Sequence, residues 1–511
     1  MRLKDELLDK LVPYEQEHIL AFWEELTVPQ RQSLAAEVEQ LNLENIHALF
    51  TKRLAPPLSA SLIKKANEPP TFRLSDLRER IDGVSSWPAG GDGISPQEAI
   101  AAGEAALRAG KLAVAVVAGG QGTRLDFLHA KGIYPIGPVS GVSLFQIHVE
   151  RILAMGKKYG VRIPFCIQTS PATHEETIEY FRDNNNFGLA DEDVLIFCQG
   201  TMPSVDWNTG KLLMASKWSI ARSPDGHGGF LASINSPQKD SPIPIVARAG
   251  ILAELQHRGI EEIFYFQVDN PVIDICSPEF IGYHLLSHSQ FSSQAIRKVD
   301  PLERVGNFVM VDGRLYVIEY SDLPAEAGSR RKPDGSLFIW AGSIAVHMMN
   351  VAFLREKAFY SESMPFHIAK KRVPYVVLDH ESESETGESL YGTKIKPEGT
   401  NGVKFEKFIF DLLPQANNPI VVEIETATGF APLKNHPREA KDTPAMVRRM
   451  LCDLYRQWLQ SCGVEVAPDV EVEISPLFAN SATELFEKLK QRDLVPDSGL
   501  IDQSVYWSGD M

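Results

Sequence analysis

Cysteine is scarce in this 511-residue chain. The five residues Cys166, Cys198, Cys276, Cys452 and Cys462 are odd in number and form no Cys-x-x-Cys pair. That pattern indicates neither a disulfide framework nor a thiolate zinc site. Several of the five stand inside apolar runs and read as buried free thiols. Long hydrophobic runs are missing too: no apolar stretch approaches the length needed to span a bilayer, and the start, Met1-Arg-Leu-Lys-Asp-Glu6, is charged and amphipathic rather than signal-like. Positive charge is in short supply, with 51 basic side chains against 67 acidic ones and a net charge of −16. Non-specific binding to nucleic acid or to an anionic membrane is therefore not expected, and any charge that holds a phosphate must be local. No internal repeat is apparent, and the one strongly biased tract, Asp379 to Glu388, reads as a solvated acidic loop. These absences describe a soluble, cytoplasmic protein.

A chain of this length exceeds one simple core and is expected to hold two or three domains. From Leu3 to about Arg53 the apolar residues recur at helical spacing, as in Leu7, Leu8, Leu11 and then Ile19, Leu20, Trp23, with Thr27-Val-Pro-Gln30 as a break and helix N-cap. Ala55-Pro-Pro57 and Glu68-Pro-Pro70 are turn or linker signals, and Ser85 to Ser95 separates this lead-in from a helix over Pro96 to Ala109. From Leu112 onward strands alternate with helices. Strands are expected at Leu112 to Ala118, Ile163 to Gln168, Val194 to Cys198, Ile263 to Val268 and Ala341 to His347, and helices at His174 to Asn184 and Pro244 to Arg258. The alternation predicts an α/β fold: a Rossmann-like, central mixed but mostly parallel sheet wound by helices, with ligands at the carboxyl ends of the strands. Strands Ile420 to Glu425 and Val470 to Ile474, with helices near Thr443 to Cys462 and Ser481 to Leu489, suggest a small C-terminal α+β subdomain. The expected division is an N-terminal helical region over 1–95, a catalytic domain over 96–410 and the terminal subdomain over 411–511.

The most informative segment is Val116-Val-Ala-Gly-Gly-Gln-Gly-Thr-Arg-Leu125, continuing to Lys131. A buried strand opens into a glycine turn. Gly119, Gly120 and Gly122 carry no Cβ, so the main chain can approach a nucleotide closely, while Arg124 and Lys131 supply two cations where phosphates would lie. A P-loop needs Lys-Ser/Thr directly after its last glycine, and a dinucleotide fingerprint needs G-x-G-x-x-G. This segment fits neither.

It does match the signature of nucleotidyltransferases that join a sugar 1-phosphate to a nucleoside triphosphate. Further blocks follow in order from about residue 110 to residue 450: Gln199-Gly-Thr-Met-Pro203, Pro224-Asp-Gly-His-Gly-Gly229, Val268-Asp-Asn270, Glu319-Tyr320, Ala341-Gly-Ser343, Asn401-Gly-Val-Lys-Phe-Glu-Lys-Phe408 and Pro432-Leu-Lys-Asn435. On these blocks the chain resembles the UDP-sugar pyrophosphorylase family and, within it, the eukaryotic-type UDP-N-acetylglucosamine pyrophosphorylases. The resemblance implies a nucleotidyltransferase sheet, UTP and a sugar 1-phosphate as substrates, UDP-sugar and pyrophosphate as products, and Mg²⁺ as cofactor.

In such a reaction a phosphate oxygen of the sugar 1-phosphate attacks the α-phosphorus of UTP and pyrophosphate leaves in line. The protein positions two polyanions and neutralises their charge. Asp269 is the metal-ligand candidate, since the strand before it delivers a carboxylate to its carboxyl end and Mg²⁺ takes one or two such oxygens together with phosphates. An Asp-Asn-Pro turn that merely ends the strand is the alternative on pattern alone. The resemblance assigns catalytic charge to Arg124, Lys131 and Lys434, and nucleotide binding to Val117, Ala118, Gly119, Gly120, Gln199, Gly226 and Lys404. Lys434 stands out in its own right, because Phe430-Ala-Pro-Leu-Lys-Asn435 is an apolar, proline-shaped loop. Gln199 and the backbone at Gly119 and Gly120 suit uracil's imide edge. For the sugar the resemblance points to His227, Gly306, Glu319, Tyr320 and Ser343.

Four positions depart from the family pattern. Ser343 and His227 stand where Asn is usual, and the family's Leu-Gly and Pro-Lys are here Leu125-Asp126 and Ala130-Lys131. The phosphate chemistry is spared, but the preference for an N-acetylated sugar is left open against glucose or galactose 1-phosphate. A non-catalytic sugar-nucleotide-binding protein is the alternative of a different class. Retention of Arg124, Lys131, Asp269 and Lys434 together counts against it.

Overall fold

The computed structural model describes residues 2–54, 62–74, 93–359, 364–378, 389–491 and 499–509. The Ala55-Pro-Pro57 linker, most of the Ser85 to Ser95 separator and the acidic tract Asp379 to Glu388 lie outside them. The chain forms two compact units, each assembled from separate stretches: one from residues 1–57, 199–229 and 363–409, the other from 58–198, 230–362 and 410–511.

The larger unit is built on a ten-stranded sheet. Its strands in chain order are β1 (Thr71–Phe72), β2 (Leu112–Val117), β3 (Phe165–Thr169), β4 (Val194–Cys198), β5 (Glu262–Gln267), β6 (Phe291–Arg297), β7 (Gly306–Val311), β8 (Arg314–Ile318), β9 (Ala341–Asn350) and β10 (Ile420–Glu423). The order across the sheet is β1-β10-β6-β9-β5-β2-β3-β4, with the hairpin β7–β8 attached to β9. All neighbours along the main path are parallel except β9, which runs against both β6 and β5. The expected mixed, mostly parallel α/β sheet is thus observed. Leu-Ala-Val-Ala-Val in β2 is buried throughout, the continuous apolar run that a central strand with both faces covered requires.

Helices close the sheet. Pro96–Arg108 begins at a capping box in which Ser95 and Glu98 bond each other's backbone amides. Leu144–Tyr159, His174–Asp183 and Pro444–Ser461 follow the expected ranges or add to them. The expected helix over Pro244 to Arg258 is instead two, Pro244–Ala249 and Ile251–His257. The break is Gly250, at φ 82°, where a side chain would meet the carbonyl oxygen of Asn235 at 2.5 Å; apolar periodicity runs across that joint and hides it.

The smaller unit opens with the helices Arg2–Leu11, Val28–Glu39 and Leu43–Thr51, the second entered through the Thr27 and Gln30 capping box. Leu7, Leu11, Ile19, Leu34 and Val38 pack there on Val205, Val403 and Phe405. The last three come from a three-stranded antiparallel sheet, Val205–Asp206, Gly402–Glu406 and His367–Lys371. All five cysteines are free thiols, with Cys166, Cys276 and Cys452 buried and the other two partly so.

Candidate active site

In the larger unit the carboxyl ends of β2 and β5 lie side by side, Val117 opposite Gln267. Each parallel strand delivers its next residues to this edge. From β2 come Ala118, whose amide bonds the Gln168 carbonyl at 2.8 Å, and then Gly119 and Gly120. Ser170 Oγ donates to the Gly119 carbonyl at 2.6 Å, and the Lys131 amide to the Gly120 carbonyl at 3.0 Å. The turn is fixed through its carbonyls, and among the described residues the Gly119 and Gly120 amides have no acceptor. They remain as donors for a ligand, as a glycine turn at a strand end allows. Arg124 stands exposed in the short 3₁₀ turn Thr123–Leu125.

From β5 comes Asp269. Its carbonyl accepts the Leu433 amide at 2.8 Å, and the next residue, Asn270, is 2% exposed and holds the same loop twice. Asn270 Nδ2 donates to the Gly429 carbonyl and its Oδ1 accepts from the Ala431 amide, both at 2.9 Å. Three hydrogen bonds therefore seat the segment 429–433 against the strand end and set Lys434 beside Asp269. Lys131 completes the group: its Nζ lies 3.3 Å from Asp269 Oδ2 and donates to the Leu433 carbonyl at 3.2 Å. Lys434 Nζ stands 5.4 Å from the centre of the Phe430 ring, a cation–π arrangement that holds an ammonium in an apolar loop.

Two residues that the sequence reading did not single out belong here. Asn270 is one. Asp442, at φ 57°, is the other: its carbonyl accepts both the Lys434 and the Asn435 amides at 3.0 Å. Burial raises its carboxyl above the ordinary carboxylate range and nearby Asp269 adds to this, while Lys434 opposes them. The only local hint was an Asp before Thr-Pro at the start of helix Pro444–Ser461, which reads as ordinary helix-start chemistry.

Among the described residues no group of three or more His, Cys, Asp or Glu side chains is placed to enclose a metal ion. The donor set fits a cation held by one or two carboxylate oxygens and otherwise by phosphates, the manner of Mg²⁺, and not a closed protein cage.

His148 supports this edge from beneath. Fully buried, it donates from Nε2 to the Val268 carbonyl at 3.0 Å, and its Nδ1 has no partner among the described residues. Burial pushes its pKa down from 6.5 to about 4. Between these values the native state binds fewer protons than the unfolded chain, so stability falls as pH drops through the window. The expected loss from this residue is about 3 kcal/mol, complete near pH 4 and absent above pH 6.5. Denaturant unfolding of the wild type and of His148→Gln across pH 4 to 7.5 checks it: the gap between the two curves should narrow as pH falls.

A second group in the same unit gathers at β7, β8 and β9. Gly306 pairs with Ser343, and a methyl built on Gly306 would lie 3.5 Å from both Glu319 Oε1 and Ser343 Cβ. Ser343 Oγ accepts the Ala345 amide at 3.4 Å. Of the five sugar candidates, Gly306, Glu319 and Ser343 are thus brought together, with Tyr320 next in the chain and half exposed.

Gln199, Gly226, His227 and Lys404 belong to the smaller unit. Gly226 takes φ 83°, and a side chain there would meet the Lys407 carbonyl oxygen at 2.4 Å, so only glycine fits the turn. Beside it the His227 ring stacks on Phe408 at 5.1 Å, and Nδ1 accepts the Ile409 amide at 3.3 Å. Burial, with His367 near, lowers its pKa to about 4, so the ring is a neutral hydrogen-bonding group at physiological pH. Lys404 lies on strand Gly402–Glu406, and Gln199 is nearly buried.

The sequence profile of the UTP–glucose-1-phosphate uridylyltransferase family matches residues 79–438. The chain is 32% identical over 474 residues to a UDP-N-acetylglucosamine pyrophosphorylase of Saccharomyces cerevisiae, covering 90% of this chain and 92% of that one. It is 32% identical over 461 residues to the human UDP-N-acetylhexosamine pyrophosphorylase-like protein 1, covering 88% and 84% of the two chains. A crystal structure of the Trypanosoma brucei uridine diphosphate N-acetylglucosamine pyrophosphorylase superposes with a TM-score of 0.76 over 99% of both chains at 24% identity, which establishes the likeness of fold.

Proposed function

The chain belongs to the UTP–glucose-1-phosphate uridylyltransferase family, and we propose that it forms a UDP-sugar and pyrophosphate from UTP and a sugar 1-phosphate, N-acetylglucosamine 1-phosphate foremost. The observation that carries this reading is the seating of Lys131, Asp269 and Lys434 at one strand edge, next to a glycine turn with two unused amides. A binding module has no need of both ammoniums and the carboxylate at one point.

The residues take these roles. In the larger unit the Gly119 and Gly120 amides, beside Val117 and Ala118, are the donors offered to the uracil; Gln199, Gly226 and Lys404, in the smaller unit, keep the nucleotide-binding role that the family resemblance gives them. Arg124, Lys131 and Lys434 neutralise charge on the transferred phosphoryl group and the departing pyrophosphate. Removal of one such stabiliser costs roughly 10²–10³ in rate. Asp269 would hold Mg²⁺, which when bound polarises phosphate oxygens and offsets their charge. Free thiols and a net charge of −16 support a reducing, cytoplasmic setting and argue against nucleic acid as a partner.

A panel of sugar 1-phosphates assayed by pyrophosphate release with UTP tests the proposal; no release with any sugar 1-phosphate at saturating Mg²⁺ would refute it. The sugar pocket gives a sharper outcome. Ser343 offers one hydroxyl where the resemblance leads to expect an amide, so discrimination for N-acetylglucosamine 1-phosphate over glucose 1-phosphate should be weaker here than in the family. Ser343→Asn is expected to shift the kcat/KM ratio towards the N-acetylated substrate by about 1–2 kcal/mol, a typical hydrogen-bond contribution. An unchanged ratio in the folded variant would assign the 2-substituent to other groups, His227 or Glu319.

A further inference from the structure

Lys131 and Asp269 are assigned opposite tasks by the proposed chemistry, one to phosphate and one to a divalent cation, yet in the protein alone they occupy each other. The ammonium lies 3.3 Å from Asp269 Oδ2, and both side chains are less than one-fifth exposed. Lys131 is held at both ends: its amide bonds the Gly120 carbonyl, and its Nζ donates to the Leu433 carbonyl. The surroundings add one more charge of each sign, Lys434 and Asp442, whose backbones are hydrogen-bonded to one another. The Asp442 carboxyl lies within electrostatic reach of both Lys434 and Asp269. A bare divalent cation approaching this point meets a balanced group whose principal oxygen ligand already has a counter-charge, and entry requires displacing it.

A triphosphate changes that balance. Its oxygens carry more negative charge than one carboxylate and suit an ammonium at least as well, so its arrival offers Lys131 a second acceptor.

We propose that Lys131 is the internal counter-ion of Asp269, moving from the carboxylate to the nucleotide's phosphates, so that the metal-binding carboxylate is freed only as the nucleotide binds. The inference rests on the assignment of Asp269 as the metal ligand. It makes the cation enter with the nucleotide and keeps the nucleotide-free protein a poor binder of divalent ions. By reciprocity, whatever removes the ammonium should strengthen cation binding to the free protein.

The test uses Mn²⁺ as the probe, titrated into nucleotide-free full-length protein and followed by electron paramagnetic resonance of unbound Mn²⁺ and by calorimetry. Lys131→Met and Lys131→Gln should each bind Mn²⁺ about tenfold more tightly than the wild type, within the usual range of coupling between two sites. Lys131→Arg should restore weak binding, and Asp269→Asn should remove the gain when combined with Lys131→Met. Two folded neutral variants guard against misreading a single damaged protein. If neither binds Mn²⁺ more tightly while Asp269→Asn weakens binding, Asp269 is a ligand and the counter-ion inference alone fails. If the gain survives Asp269→Asn, the ammonium's rival is another group and the inference also fails. If Asp269→Asn has no effect in any background, the ligand assignment falls with it.

Discussion

Asp269→Ala is expected to abolish metal-dependent turnover, and Lys434→Ala to lower kcat by about 10²–10³. The two changes act at one point from opposite signs. Asp269 follows β5 with its carbonyl bonded to the Leu433 amide, so the residue that would hold the cation also anchors the loop that presents Lys434. Because that bond uses the backbone, alanine at 269 keeps the loop seated while deleting the carboxylate. The lysine is held differently, by its contact with Phe430 and by the amide bond to the Asp442 carbonyl, and truncation removes charge without unseating the backbone. Steady-state rates against Mg²⁺ concentration, with thermal unfolding as the control for folding, separate the outcomes. Near wild-type turnover of either folded variant at saturating Mg²⁺ would strike that residue from the chemistry.

UTP is expected to be preferred over ATP, CTP and GTP by several powers of ten in kcat/KM. A site built to pair its polar groups with one base leaves them unmatched against another, and discrimination on that basis reaches about 10⁴–10⁵. Gln199 is 8% exposed, so its amide has little access to water. The Gly119 and Gly120 amides sit in a turn pinned by Ser170 and Lys131, which leaves the backbone little freedom to adapt to a purine. Initial rates with each triphosphate and one sugar 1-phosphate decide the matter: equal rates with ATP or GTP would overturn the uridylyl assignment.

Local pattern carried the fold a long way. Val194 to Cys198 is a strand at the expected bounds, and the apolar run of β2 and the turn after it lie where residue chemistry placed them. Such features depend on neighbours in sequence, which periodicity and glycine placement report directly. What escaped depends on distance. Lys131 and Asp269 are 138 positions apart, and Asn270 and Ala431 161 apart. No spacing rule foretells that a buried Asn will seat a remote loop or that the Lys131 ammonium rests on the Asp269 carboxylate. Gly250 was missed for a different reason, since an apolar face that continues across a break looks unbroken. Asp442 carried no signal beyond the start of a helix.

The division of the chain into interleaved units has a consequence for synthesis. Residues 1–57 leave the ribosome well before the rest of the smaller unit, which is complete only when Ile409 has been made. At about 5–20 residues per second, the roughly 350 intervening residues take on the order of 20 to 70 s. Throughout that interval Leu11, Leu34 and Val38 lack the Val403 and Phe405 side chains they finally pack against. The early helices therefore expose apolar surface during synthesis, and slowing translation should lower the yield of native protein before it touches any property of the finished enzyme.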